Sequence, residues 1–137
     1  MNREEDNRPE DRRTVRYRKI LVATDGSECS VRAAAHAVYL AQALGAHLYA
    51  LYSVNVHRAF HMGIHYGEAV AELRRFGRDA IDAVGEMAQE RGLEVDKILV
   101  EGVPHKSIIR ASDEIGSDLI VLGSSGMTSL ERALIGS

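Results

Sequence analysis

At 137 residues the chain has the length of one average domain, and its 17 Lys and Arg against 20 Asp and Glu leave a formal net charge of −3. That balance lacks the basic excess of a protein that binds nucleic acid by neutralising phosphates, and 5% aromatic residues with no Trp argue against a base-stacking platform. An apolar fraction of 45% excludes disorder over the whole chain, and the single Cys29 excludes an internal disulfide framework or a multi-thiolate zinc site.

Residues 1–18 (MNREEDNRPEDRRTVRYR) hold six Arg and five acidic residues with almost nothing apolar before Val15. Such a segment buries too little to offset its ordering entropy, so a charged, flexible tail is expected, with the domain proper at 19–137. Lys19 to Thr24 is a short apolar run, and Asp25-Gly26-Ser27 is a turn and helix-start signal. Val31, Ala34, Ala35, Val38, Ala41 and Leu44 then recur at mostly three and four, predicting an amphipathic helix that stops at Gly45. His47 to Val54 reads as a second strand, and 55–66 as a long loop. The stripe Ala69, Val70, Leu73, Phe76, Ala80, Ile81, Val84, Met87 and Ala88 predicts a long helix from about Gly67 to Gly92, with its acidic and basic residues on a solvated face. Asp96 to Glu101 is the third strand. Pro104 opens a third helix that stops at Gly116, and Asp118 to Leu122 is the fourth strand. No apolar run reaches the length a bilayer requires, and the N-terminus lacks the apolar core of a signal peptide, so a soluble cytoplasmic protein is expected.

Strands alternating with helices, the first and fourth strands uninterruptedly apolar, predict an α/β fold: a doubly wound parallel sheet flanked by helices. Ligands of such sheets sit beyond the C-terminal strand ends, where strand order reverses. Two segments therefore matter most. One is Ala23 to Ser27. The other is Gly123-Ser124-Ser125-Gly126, continuing to Gly136-Ser137. Glycine lets backbone N–H groups approach an anion closely, and the serines add hydroxyl donors. On spacing alone the second segment is either a phosphate cradle or a plain glycine-rich turn. It is neither the Walker A pattern nor the dinucleotide GxGxxG.

Gly123-x2-Gly126-x9-Gly136-Ser137 resembles the ATP-binding signature of the universal stress protein family. Ala23-Thr24-Asp25-Gly26-Ser27 after the first strand, Ser53-Val54 ending the second, and Gly102-Val103-Pro104 before the third helix fit the same family in the same order. The resemblance covers residues 18 to 137. It implies a Rossmann-like fold of the adenine-nucleotide alpha-hydrolase type, ATP as ligand with Mg2+ on its phosphates, and a homodimer with no nucleic-acid or membrane partner. It implies that Asp25 and Thr24 sit beside the nucleotide and that Val54 meets the adenine. Gly123, Ser124 and Gly126 would wrap ribose and phosphates, with Gly136 and Ser137 at the terminal phosphates. The family continues past its Gly-Ser pair with a further helix and strand, so a chain stopping at Ser137 is expected to lack both. A nucleotide-dependent switch in stress response with slow or no hydrolysis follows. The alternatives are a slow Mg-dependent ATPase, with Asp25 as the candidate metal ligand, and a nucleotide-free dimeric interaction domain.

The remaining polar residues are open to two readings. His57, His61 and His65 lie four apart, which on one helical face would suit zinc or nickel, but Gly63 interrupts the stretch and a loop near the site mouth is the simpler account. Cys29, in the first turn of the first helix, is either an activated thiol or a packing residue. Glu131 and Arg132 either reach the phosphates or pair with each other, and no Ser-His-Asp set or carboxylate pair stands out.

Overall fold

The computed structural model describes residues 14–60 and 65–124. In chain order they form β1 (Lys19–Ala23), α1 (Glu28–Leu44), β2 (His47–Val54), α2 (Val56–Phe60), α3 (Tyr66–Glu90), β3 (Val95–Glu101), α4 (Pro104–Ile115) and β4 (Leu119–Val121). The four strands make one sheet in the order β3-β2-β1-β4. Every pairing is parallel: Val22 lies opposite Ala50 on one side and Val121 on the other, and Tyr52 lies opposite Leu99. The order reverses between β1 and β4, so the expected doubly wound sheet is present.

α1 and α4 start and stop for local reasons. Ser27 caps α1, its hydroxyl accepting from the Ser30 N–H at 3.2 Å, and Gly45 ends it with an N–H donated to the Ala41 carbonyl. Pro104, which needs no intrahelical N–H partner, opens α4. The Asp118 carboxylate accepts from the backbone N–H groups of Arg18 and Lys19 at 2.7 and 2.9 Å, which ties the entrance of β1 to that of β4.

α1 and α3 share one face of the sheet. Ala34, Ala37, Val38 and Ala41 of α1 and Ile81, Val84 and Ala88 of α3 close over Ile20, Val22, Leu48, Ala50, Tyr52 and Val54, with Tyr17 at the margin. α4 covers the opposite face, where Leu21, Leu51 and Ala111 are buried together. β1 is one of the two interior strands, its Ile20, Leu21 and Val22 wholly inaccessible.

Two expectations are corrected. Residues 55–66 are not one loop, because Val56–Phe60 forms a single short helix anchored by the fully buried Ala59. The fourth strand, for all its apolar character, is not buried on both faces among the described residues. Among the described residues it has a strand neighbour on one side only, and Ile120 and Leu122 stay 37% and 55% exposed.

Candidate functional site

The backbone leaving β1 turns sharply before α1, and a small buried polar knot holds the turn. Thr24 is 7% exposed and Ser30 3% exposed, yet both are fully partnered. The Thr24 and Ser30 hydroxyls meet at 3.0 Å, the Ser30 hydroxyl donates to the Ser27 carbonyl at 2.9 Å, and the Gly26 N–H donates to Thr24 Oγ1 at 3.1 Å. The Thr24 N–H donates to the Leu51 carbonyl at 2.9 Å, so the knot is tied to β2 as well. Buried hydroxyls that satisfy one another in this way make the loop a preformed element.

Asp25 projects from this knot into solvent. Its Oδ1 accepts from the Ser27 N–H at 2.9 Å. Partial burial pushes its pKa up, but hydrogen bonds from Ser27, together with those involving Ser30, outweigh that and hold the carboxyl below its ordinary value of 3.8. An ionised carboxylate accepts N–H donors or holds a cation and repels a bare phosphate. Gly26 follows at φ +81°, a conformation that L side chains rarely adopt, and a Cβ there would also strike the Phe76 ring.

The segment after β4 arrives at the same place. A Cβ on Gly123 would come within 2.9 Å of the Cys29 carbonyl carbon and of the Ser30 nitrogen, so only glycine lets this backbone pass so close to the start of α1. One residue on, Ser124 Oγ lies 3.8 Å from Cys29 Sγ. Two segments about a hundred residues apart in sequence thus meet at one helix N-terminus, the positive end of the helix dipole. They meet where strand order reverses.

The other expected residues are placed as follows. Val54 ends β2 but is fully buried, and its carbonyl accepts from the Gly102 N–H at 2.9 Å. Gly126, Gly136 and Ser137, and with them Glu131 and Arg132, lie outside the described residues. His57 stands on α2 and His65 at the N-cap of α3, so they do not share a helical face, and His61 is also outside the described residues. Among the described residues no three His, Cys, Asp or Glu side chains come together as a metal site. A separate open cavity of about 400 Å³ lies between α2, α3 and the end of β3, lined by Val56, Tyr66, Val70 and the Arg74–Glu101 ion pair. It includes none of the strand-end residues above.

Two contributors are not singled out by the sequence. Ser30 sits three residues after the Ser27 cap, and a polar residue on the inner side of a first turn is the one available signal. Phe76 is indistinguishable from the rest of an apolar stripe until α3 is docked.

Comparison with known proteins agrees with this frame. The family model described as "Universal stress protein family" matches residues 16–137, and the chain belongs to that family. A universal stress protein of Methanocaldococcus jannaschii is 38% identical over 123 residues, 88% of this chain and 72% of the relative. A crystal structure of a universal stress protein family member from Burkholderia pseudomallei superposes with a TM-score of 0.71 at 32% identity, covering 87% of this chain and 89% of that one. A universal stress protein crystallised in complex with cAMP shares the fold, with a TM-score of 0.69 at 23% identity over 90% of this chain and 87% of that one. Among the described residues no helix is long and apolar enough to cross a membrane.

Proposed function

We propose that this chain binds an adenine nucleotide, ATP with Mg2+, at the switch point between β1 and β4, and that occupancy rather than turnover is its output in the stress response. The observation that carries the reading is the convergence of the Thr24–Ser27 knot and the Gly123–Ser124 backbone on the start of α1. A rigid loop bearing one ionised carboxylate, beside a backbone stripped of side chains, suits a ligand with N–H donors at one end and phosphates at the other. The cAMP complex of a protein of the same fold adds support. In this reading Thr24 and Asp25 flank the base and ribose, and Val54 is the apolar floor behind them. Gly123, Ser124 and Gly126 cradle the sugar and phosphates, and Gly136 and Ser137 close on the terminal phosphates. Mg2+ would enter with the nucleotide, bound through its phosphates. The binding unit is residues 19–137, to which Tyr17 and Arg18 are already packed and hydrogen-bonded, the rest of 1–18 is a charged tail, and the unit works as a cytoplasmic homodimer.

The test is calorimetric titration of Mg-ATP into this chain and into Gly126→Val, with phosphate release followed in parallel. The expected result is saturable binding by the parent, loss of binding in the variant and phosphate release no faster than in the variant. No heat of binding with the parent overturns the nucleotide reading. Turnover that Asp25→Ala abolishes while affinity persists would establish the slow ATPase instead.

A further inference from the structure

Phe76 is an oddity of α3. It is 51% exposed, and its ring reaches across to the loop after β1. The contact is close: a Cβ on Gly26 would lie 2.6 Å from Phe76 Cε1 and Cζ, so the glycine that the loop conformation demands also makes room for the ring. On its other side the ring meets Tyr52 edge to face, with centroids 6.1 Å apart and planes at 61°. Tyr52 is two residues before Val54 on β2 and points to the same sheet face. Phe76 therefore bridges α3 to the C-terminal ends of β1 and β2, where it packs on Gly26, the residue that follows Asp25. An aromatic ring fixed from two sides, yet half open to water, has lost rotamer freedom without gaining full burial. That combination marks a surface ready for a flat apolar partner.

We propose that Phe76 is a ligand-facing residue of the nucleotide site, presenting its ring to the flat face of the base while the Asp25 carboxylate accepts from the exocyclic amine. The assignment rests on the nucleotide reading above and extends it to the choice of ligand. The site takes a nucleotide whose aromatic base carries an amino group, and it discriminates against base-free polyphosphates. The ring supplies apolar contact and dispersion that any aromatic base can use, and Asp25 supplies the hydrogen-bond preference.

The experiment titrates three forms of the full chain, the parent, Phe76→Ala and Phe76→Leu, with ATP and with inorganic tripolyphosphate, each with Mg2+. Phe76→Trp serves as a fourth form: the chain has no native Trp, so this variant carries a single fluorophore at the position in question. The expected result is roughly tenfold weaker ATP binding by Phe76→Ala, the order of one base–aromatic stack, with tripolyphosphate affinity unchanged. Phe76→Leu, which keeps apolar bulk at Gly26 without a ring, falls between, and Phe76→Trp fluorescence is quenched by ATP and not by tripolyphosphate. Parent binding that Phe76→Ala leaves untouched overturns the role of Phe76 and leaves the nucleotide site standing. Equal loss of ATP and tripolyphosphate overturns it too, because that marks general damage to the loop. If the parent binds neither probe, the nucleotide reading and this extension fall together.

Discussion

Asp25 combines burial that opposes its charge with hydrogen bonds that favour it, and the hydrogen bonds win. The sign of the consequence follows from linkage. With its folded pKa below its unfolded value, the native state binds fewer protons, so stability rises with pH across that interval. The contribution is complete above the ordinary value of 3.8 and is lost as pH falls through the lower folded value. Asp25→Ala should therefore narrow its stability gap to the parent as denaturation is repeated at progressively lower pH below that point. An NMR titration of the Asp25 carboxyl should give a midpoint under 3.8. A midpoint at or above that value would show that the Ser27 and Ser30 bonds do not hold the loop as described. Asp25 and Thr24 were legible in the sequence because a turn after an apolar run at the head of a helix is a local pattern. Ser30 was not, since its partners Thr24 and Ser27 become partners only once the turn has folded back onto the helix.

At the scale of elements, α3 shows how the same residue type can act with opposite sign. Gly77 and Gly85 both sit in the helix interior, where replacing glycine by alanine is ordinarily worth about 0.5–1 kcal/mol of stability. A Cβ on Gly77 would run into the buried ring of Tyr52 and, at 2.9 Å, into Leu99 Cδ1. Overpacking of that kind costs about 1–3 kcal/mol, which exceeds the helical gain. A Cβ on Gly85 would meet Lys97 Cε at 3.0 Å and Nζ at 3.3 Å, the end of a flexible side chain whose exposed pairing with Asp82 is worth little. Gly77→Ala should lower the urea midpoint and Gly85→Ala should hold or raise it. Equal shifts would mean that the α3–β2 contact yields more easily than the close approach implies. The long helix itself was readable from its 3.6-residue period. The short α2 was not, because five residues are too few to show a period and its stability comes from burying Ala59.

At the scale of the whole molecule, the two faces of the sheet are unequally covered among the described residues. α1 buries Ser30, Ala33, Ala34, Ala37, Val38 and Ala41, while α4 buries Ala111 alone and β4 is half-exposed throughout. Local stability follows buried apolar contact, so the molecule should open first on the α4 and β4 side. Native-state hydrogen exchange should show β4 and α4 amides exchanging ahead of those in β1, β2 and α1. Protection of α4 equal to that of α1 would contradict this ranking. The same asymmetry bears on the proposed site, because Gly123 and Ser124, which pass close to the start of α1, hang from the less protected strand.

What the sequence by itself determined are the features set by neighbours along the chain: the apolar runs of the strands, the caps of α1 and α4, the glycines after β1 and β4, and the motif order that marks the family. The tertiary structure decided which of those features meet. That β1 lies between β2 and β4, that Gly123 abuts Cys29 and Ser30, and that Phe76 leans on Gly26 all depend on long-range docking. The exposure of β4 depends on which strands lie beside it. Periodicity records which face of an element is apolar; it carries no record of which other element that face will meet.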